Sequence, residues 1–343
     1  MKSTTMTSKE IVRRVIRHQD PPRLAWDFQH PVYKDTRGCG CISLISNSTA
    51  PYREFGDYEE LKKRANFHGE VRLDSYGNIF GRLNGKTAGE CVLGALEEDW
   101  EKLDQFEFPQ LDMSLVEKVK AQNLQAHDKY ILSFLPLGVF STLRDLRKMD
   151  NALMDTVAEP EMIDAYMEKF KPYILNMIHQ SAECGANGIF FCDDWGMQFS
   201  PFISPDSFRR LFKPGYKAVA DACHERDMDF LLHSCGYVKP LMEDMLEAGI
   251  DVFQFDQIEV VGSKVWAEEY GRRTAFYSSV DIQSVMPTGN RELIETTACN
   301  MAEAFRKAGG SLIARDYGNW QDINVEREWA DWAMNVIVSN SWM

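Results

Sequence analysis

His233 and Cys235 stand two positions apart at the end of the apolar stretch Asp229-Phe-Leu-Leu-His-Ser-Cys-Gly-Tyr237. An apolar run closed by glycine predicts a buried strand that ends in a loop. Because side chains alternate along a strand, the imidazole and the thiol would point to the same side. Both groups bind zinc, but zinc needs three or four ligands, so the pair is half of a site. The alternative is a hydrogen-bonded core histidine beside a buried thiol, and the two residues alone leave both interpretations open.

Polar side chains follow four other apolar runs in the second half of the chain. They are Asp193-Asp194-Trp195, Asp256-Gln257, Ser279-Val280-Asp281 and Arg315-Asp316-Tyr317. A single aspartate at the end of a strand is commonly a helix cap. Burying this many ionisable groups costs on the order of several kcal/mol unless partners or a function compensate. Together the five strand ends therefore predict a shared polar site.

From residue 129 onward, short apolar runs alternate with long helical stretches. The runs lie at 130–138, 188–194, 229–235, 251–257, 274–281 and 311–316, and the helical stretches at 159–182, 204–226, 238–248, 263–270 and 290–308. This alternation predicts a parallel sheet. No Gly-x-Gly-x-x-Gly sequence follows a strand, so the pattern favours a (β/α)8 barrel over a doubly wound dinucleotide-binding sheet. The polar strand ends would then meet at the mouth of the barrel, where the active sites of this fold lie.

The first 128 residues hold the first strand and the additions to the barrel. A helix is predicted over 9–18, a strand over 23–28, a loop over 30–56, and a β-hairpin or meander over 70–90 with turns at 76–78 and 84–85. This gives seven barrel strands, and the eighth would lie in 42–47 or 90–96. We therefore expect residues 1–343 to form a single distorted α/β barrel domain with an N-terminal helical and β-hairpin elaboration.

Composition and charge exclude several classes of protein. The formal net charge of −14 gives a nucleic-acid partner no electrostatic basis. No apolar run approaches the roughly 18 residues that a membrane-spanning helix needs. The first 20 residues carry charges where a secretory signal needs an apolar stretch, so we expect a cytoplasmic location. The eight cysteines are scattered and do not form a compact disulfide framework.

The motifs resemble those of the uroporphyrinogen decarboxylase-like superfamily. They are the His-Ser-Cys-Gly strand end at 233–236, the Asp-Asp-Trp-Gly at 193–196 with the ISPDSFRRLFKPGYK segment after it, and the SSVDIQSVMPTG and AGGSLIARD segments. The DSYGNIFGRLNG segment and the segment from Asp128 to Asp155 resemble the corrinoid-dependent methyltransferase branch, so the likeness covers roughly residues 10–340. It implies a distorted (β/α)8 barrel that acts with a corrinoid protein carrying cobalamin.

The resemblance also separates the reactions of the superfamily. True decarboxylases carry an arginine motif close to RQAGRY near the N-terminus, where this chain has VIRHQDPPRLAW. An acidic mouth also disfavours a polycarboxylate tetrapyrrole, because like charges repel. Decarboxylation is therefore disfavoured.

For the methyltransferases, the resemblance implies zinc bound by His-x-Cys and a later cysteine. His233 and Cys235 match the first two ligands, but Arg315, Asp316 and Tyr317 occupy the later position. Asp316 would then be the third ligand, since zinc accepts carboxylate oxygen, or the site would lack metal. A third alternative places Cys39-Gly40-Cys41 over the mouth to complete a thiolate site.

The missing cysteine weakens the version of the reaction in which zinc activates an incoming thiol. We therefore expect transfer of a methyl group from a small donor, an aryl methyl ether in the first place, to cob(I)alamin on a corrinoid protein. Transfer from a methylcorrinoid to tetrahydrofolate or a thiol is the alternative, and a barrel that binds without turnover is a third. The expected catalytic residues are His233, Asp193 and Asp194, with one of the two aspartates having a raised pKa. Substrate would contact Trp26, His30, Trp195, Gln198, Tyr237, Gln257 and Tyr317.

Overall fold

The structure is a computed structural model that describes residues 6–46, 53–83, 85 and 89–343. Its strands are β1 (Ala25–Asp27), β2 (Thr36–Gly38), β3 (Glu70–Leu73), β4 (Ile79–Arg82), β5 (Glu90–Leu93), β6 (Tyr130–Phe134), β7 (Gly188–Cys192), β8 (Asp229–His233), β9 (Val252–Gln254), β10 (Ala275–Ser278) and β11 (Leu312–Arg315). Its helices are α1 (Ser8–Ile16), α2 (Ile42–Ser46), α3 (Glu59–Ala65), α4 (Val116–Leu124), α5 (Ser141–Arg147), α6 (Met149–Ala158), α7 (Pro160–Glu183), α8 (Pro205–Leu211), α9 (Lys213–His224), α10 (Met242–Glu247), α11 (Ser263–Tyr270), α12 (Arg291–Lys307) and α13 (Arg327–Ser339). In the described part of the chain, short 3-10 helices lie at Trp100–Leu103, Met113–Leu115, Lys239–Leu241, Ile258–Val260, Met286–Thr288 and Trp320–Ile323.

Eight strands form the predicted barrel, in the order β1-β11-β10-β9-β8-β7-β6-β2. Neighbours along this order pair in parallel, and β8 and β10 are buried along their whole length. The two ends of the sheet meet where Asp27 bridges Lys34, and the Asp35 N–H donates to the Trp26 carbonyl at 2.6 Å. The (β/α)8 prediction is therefore confirmed, with barrel strands of three to five residues.

The eighth strand lies in neither of the two predicted places. It is β2, inside the stretch that the sequence indicated as loop, and Thr36 pairs with Tyr130 of β6. The stretch 42–46 is helix α2, position 47 lies outside the described residues, and 90–93 is β5 in another sheet. β2 has only three residues, two of them exposed. Strand β2 is recognised as a strand by its pairing with β6, because no apolar run predicts it from the sequence.

Helix α1 packs on the barrel at the end opposite to the mouth. Thr7 and Glu10 form a capping box at its start. Its buried side chains are Ile11, Val12, Val15 and Ile16, which share a core cluster with barrel residues Tyr130, Leu231, Val252 and Ile313. This end of the barrel is therefore filled with apolar side chains, and the polar strand ends lie at the other end.

Strands β3, β4 and β5 form a separate antiparallel sheet, as the meander interpretation predicted. The turn between β3 and β4 is held by Asp74, whose carboxylate accepts the N–H groups of Tyr76 and Asn78 at 2.9 and 2.8 Å. Gly77 has φ +87°, a conformation that favours glycine. The second predicted turn includes residue 84, which lies outside the described residues. Within the described residues no helix is long and apolar enough to cross a membrane.

Candidate active site

His233, Cys235 and Asp194 converge at the mouth of the barrel. Strands β7 and β8 pair Cys192 with His233, so residues 194 and 235 follow their strand ends at neighbouring positions. His233 Nε2 lies 3.2 Å from Cys235 Sγ and 3.3 Å from Asp194 Oδ1. The Cys235 N–H also donates to Asp194 Oδ1 at 2.9 Å. Among the described residues these three form the group whose histidine, cysteine and carboxylate ligand atoms lie within 4.8 Å of one another; we call it the metal group.

Gln254 sets the orientation of the His233 ring. Its Nε2 donates to Asp256 Oδ1 at 2.8 Å, which turns its Oε1 toward His233 Nδ1, where the two atoms hydrogen-bond. Because Oε1 can only accept, Nδ1 carries the proton of that hydrogen bond. His233 Nε2 is thereby directed at Asp194 and Cys235, as a metal-binding histidine requires.

The charges within the metal group are strongly coupled. Burial opposes ionisation of Asp194, but the hydrogen bond and charge of His233, the Cys235 N–H and the charge of Arg144 lower the pKa of Asp194 below its usual range. Burial also acts to lower the pKa of His233, yet hydrogen bonds with Asp194 and Cys235 raise it well above the ordinary value. Burial raises the pKa of the Cys235 thiol, and His233 opposes this effect. His233 and Asp194 therefore stabilise each other's charged forms.

The donor atoms of the metal group fit zinc. Zinc takes nitrogen, sulfur and oxygen ligands at about 2.0–2.3 Å. Tetrahedral ligands at those radii stand about 3.2–3.8 Å apart, and the observed 3.2 and 3.3 Å separations agree with this spacing. Three protein ligands would leave one position open, which is the arrangement of a catalytic zinc site.

Asp316 does not lie with the metal group. Its carboxylate accepts the Gln29 N–H at 3.0 and 3.1 Å, and burial raises its pKa. Arg315 lies over the Tyr277 ring and 3.7 Å from Asp256. The structure therefore places Asp194, and not the predicted Asp316, beside His233 and Cys235. The loop at Gln29 is far from Asp316 in the sequence, so the sequence offered no sign of this partner.

Asp193 faces away from Asp194. It is completely buried and accepts the Ser141 N–H and the Tyr216 hydroxyl, each at 2.6 Å, together with the Phe140 N–H at 3.2 Å. Burial raises its pKa, although these hydrogen bonds oppose the change. Asp193 joins the start of α5 to α9. Its raised pKa agrees with the expectation for one of the two aspartates, and a catalytic role for Asp193 stays a prediction.

Trp195 and Trp26 are packed away from the mouth. Trp195 is fully buried, donates its Nε1–H to Tyr216 at 2.7 Å and stacks on Phe140 at 4.3 Å. Trp26 donates its Nε1–H to Ser341 at 2.9 Å and is also buried. Neither ring is positioned to contact a substrate as predicted, because both are occupied in packing the helices against the barrel.

The five other residues predicted to contact substrate divide into those near Cys235 and those with other partners. Gln257 accepts the Gly236 N–H at 2.9 Å, beside Cys235. Burial raises the pKa of half-buried Tyr317, and the charges of Asp256 and Cys235 raise it further. Half-buried Tyr237 belongs with these two, since it lies two residues after Cys235 and its N–H donates to the Met197 carbonyl. In the second set, Gln198 is exposed and accepts from Gln283 at 3.4 Å, and His30 stacks on Tyr33 at 4.7 Å.

Cys39 and Cys41 do not cover the mouth. Their Sγ atoms lie 3.1 Å apart, and both residues are buried. Asn123 donates to the carbonyls of Cys39 and Cys184 at 3.0 and 2.8 Å, so this thiol pair belongs to the packing of α4 and α7. The thiolate alternative therefore finds no support in the positions of these side chains.

Two residues of the site were missed from the sequence. Gln254 is a polar residue inside the apolar run of β9, and that interruption was a usable signal. Arg144 lies 3.8 Å from Asp194 and 3.2 Å from Asp145. Burial opposes its charge, but the two carboxylates raise its pKa. An arginine in a helix gives no sign of such a position in the sequence.

Comparisons with known proteins agree with the fold and with the motifs. The family model for uroporphyrinogen decarboxylase (URO-D) matches residues 120–315. A methylated-thiol–coenzyme M methyltransferase of Methanosarcina mazei is 24% identical over 166 residues, 48% of this chain and 43% of that protein. The chloroplastic uroporphyrinogen decarboxylase 2 of Arabidopsis thaliana is 23% identical over 154 residues, 44% of this chain and 36% of that protein. Both alignments thus span less than half of the curated relative.

A solved methyltransferase structure from Methanosarcina mazei superposes with a TM-score of 0.66 at 14% identity. The superposition covers 98% of this chain and 99% of that one. At this identity the likeness establishes the fold alone.

Proposed function

This chain belongs to the uroporphyrinogen decarboxylase family, and on that premise we propose that it is a corrinoid-dependent methyltransferase. It moves a methyl group from a small donor, an aryl methyl ether, to cob(I)alamin on a separate corrinoid protein. The observation that carries this proposal is the metal group, in which His233, Cys235 and Asp194 lie together at the barrel mouth.

The residues of the mouth have different roles in the proposed reaction. Asp194, His233 and Cys235 would hold a zinc ion, which when bound supplies a Lewis acid for the leaving heteroatom. Gln254 keeps His233 Nε2 directed at the group, and Arg144 holds the far side of Asp194. The methyl carbon forms a bond to the partner's cobalt while its bond to oxygen breaks, and the electron pair stays on that oxygen. Gln257, whose side chain accepts the Gly236 N–H beside Cys235, and half-buried Tyr317 would orient the donor.

The ligand set favours the direction from ether to corrinoid. It offers one thiolate and one carboxylate, and a thiolate-rich set is the one that helps an incoming thiol. The relative named for methylated thiols and coenzyme M favours the second candidate, in which a thiol is the acceptor. Decarboxylation is disfavoured because the chain has VIRHQDPPRLAW where true decarboxylases carry an arginine motif close to RQAGRY.

Two measurements test the proposal. Metal analysis of the purified protein is expected to find stoichiometric zinc that is lost in His233→Ala. Addition of cob(I)alamin and a panel of methoxyarenes is expected to produce the absorbance of methylcobalamin. Consumption of methylcobalamin with a thiol or tetrahydrofolate, and no reaction with any ether, would support the second candidate. A single domain over 1–343, a cytoplasmic location and a corrinoid partner remain parts of this proposal.

A further inference from the structure

The thiols of Cys39 and Cys41 lie side by side beneath a surface turn that follows β2. Their Sγ atoms are 3.1 Å apart and both side chains are buried, whereas Gly40 between them is exposed. Gly40 has φ +80°, a conformation that favours glycine. A disulfide bond is about 2.05 Å long, so the two sulfur atoms are roughly 1 Å from bonding distance.

The sulfur of Cys41 is surrounded by hydrogen-bond donors. Hydrogen bonds from the thiols of Cys184 and Cys39 lower the pKa of Cys41, and the hydroxyls of Ser133 and Ser181 add to this effect, although burial opposes it. Hydrogen bonding with Cys41 raises the pKa of Cys39 and of Cys184, and burial raises both further. Cys41 therefore has thiolate character, and the thiolate is the form in which a cysteine is a nucleophile.

Cys39 is held beside Cys41 by the barrel and by Asn123. Its N–H donates to the Leu132 carbonyl at 2.8 Å, which continues the pairing of β2 with β6. The Asn123 amide donates to the Cys39 carbonyl at 3.0 Å and to its Sγ at 3.2 Å. These contacts fix the second thiol of the pair next to the nucleophilic one in the reduced protein.

A small oxidant reaches the pair at the turn itself. Gly40 and Ile42 are both exposed, one on each side of Cys41 in the chain. The susceptibility of a cysteine to oxidation follows its thiolate character and its exposure. Cys41 has the first property, and only the surface turn separates it from solvent. None of these residues takes part in the proposed methyl transfer, so the pair is a second reactive group in this chain.

We propose that Cys39 and Cys41 are a modification site, at which a hydroperoxide converts the two thiols reversibly into a disulfide. With hydrogen peroxide, the Cys41 thiolate attacks one oxygen and the O–O bond breaks. Cys41 becomes a sulfenic acid, and the leaving hydroxide takes the proton that Cys41 gave up and forms water. The Cys39 sulfur then attacks the sulfenic sulfur, the S–S bond forms, and hydroxide leaves with the Cys39 proton as a second water. Two thiols are oxidised and one peroxide is reduced.

Mass spectrometry after alkylation tests this site. The purified, fully reduced protein is treated with an equimolar amount of hydrogen peroxide, denatured and alkylated with N-ethylmaleimide. Two of the eight thiols are expected to be lost, and the tryptic peptide 38–53, which contains both cysteines, is expected to be lighter by two hydrogen atoms. Treatment with dithiothreitol is expected to restore both thiols.

Serine variants assign the two roles. Cys41→Ser is expected to lose no thiol under the same treatment, because the attacking sulfur is absent. Cys39→Ser is expected to leave a sulfenic acid on Cys41, which dimedone traps when the protein is denatured in its presence. Cys299→Ser, in which a half-buried cysteine of α12 is replaced, is the matched control and is expected to form the 38–53 disulfide as the wild type does.

Three results on the wild-type protein would overturn the proposal. They are full alkylation of the 38–53 peptide after peroxide treatment, oxidation that falls on another cysteine such as Cys235, and a disulfide that joins Cys41 to Cys184. Because these measurements need no substitution, they decide the proposal even if a serine variant fails to fold.

Discussion

The Oδ1 atom of Asp194 lies 3.3 Å from Nε2 of His233, across the ends of two neighbouring parallel strands. The β7–β8 register produces this contact, since Cys192 pairs with His233 and each functional side chain stands at or just beyond its strand end. The relationship makes Asp194 the third member of the metal group and leaves Asp316 to hold the Gln29 loop. Three predictions follow from the geometry around this pair, and a fourth concerns Asp74 in the β3–β4 turn.

If the metal group holds zinc as proposed, replacing Asp194 by alanine is expected to remove most of it, because the change deletes one of the three proposed ligands. Asp316→Ala is expected to keep the zinc, since its carboxylate is engaged by Gln29. Metal content measured by mass spectrometry after dialysis compares the two variants directly. Retention of zinc in Asp194→Ala with loss in Asp316→Ala would reverse the ligand assignment.

Gln254→Leu is expected to weaken zinc binding without removing a ligand. The variant loses the hydrogen bond that orients His233, and losses of such supporting contacts typically reduce metal affinity by about 10–100-fold. Competition with a chromophoric chelator measures the affinity, and the melting temperature reports whether the buried substitution disturbs the fold. Wild-type affinity in a folded Gln254→Leu protein would show that the His233 ring is held by other contacts.

Asp193→Asn is expected to lower the free energy of unfolding by about 2 kcal/mol, the scale of a hydrogen bond to a charged group. Asparagine offers one acceptor oxygen where Ser141, Phe140 and Tyr216 all donate. Its zinc content is expected to equal that of the wild type. Urea denaturation with Asp206→Asn as control measures the difference, because the Asp206 side chain is 92% exposed. Loss of zinc without loss of stability would show that Asp193 has a direct role in the site.

Asp74 is expected to make stability depend on pH between about 4 and 6. Burial, opposed by hydrogen bonds from Asn78 and Tyr76, raises the pKa of Asp74 to about 6. The folded state therefore binds this proton more tightly than the unfolded state does. The stabilisation is fully present below the unfolded pKa and is lost as the pH rises through 6, by roughly 2–3 kcal/mol.

Asp74→Asn removes this titrating group. The difference in unfolding free energy between the wild type and Asp74→Asn, measured by urea denaturation at pH 4, 5, 6 and 7, is expected to shift against the wild type as the pH rises. Curves that stay parallel over this range would show that the pKa of Asp74 is ordinary.

The sequence predicted the barrel and the His233–Cys235 pair because both depend on local periodicity. Alternation along β8 is enough to put residues 233 and 235 on one side of the strand. The same alternation separates Asp193 from Asp194, but the sequence does not say which of them faces the mouth. Trp195 was misassigned because its partner Phe140 comes from the segment after β6.

Other features depend on contacts distant in the chain. Strand β2 is short and partly exposed, so its place in the sheet comes from β6 rather than from its own residues. Asp316 binds Gln29, and Arg144 reaches Asp194 from another helix. The spacing of residues in the sequence does not predict such contacts. They form only when the chain folds and the strands are in register.

Transfer of an isotopically labelled methyl group tests the central claim most directly. The zinc-loaded protein would be mixed with cob(I)alamin and 2-methoxyphenol that carries ¹³C in its methoxy group. We expect the label to appear on cobalt, detected by NMR, with an equal amount of 1,2-dihydroxybenzene, and the reaction to be lost in His233→Ala. Label that stays on oxygen while the same protein demethylates methylcobalamin with a thiol would contradict the account.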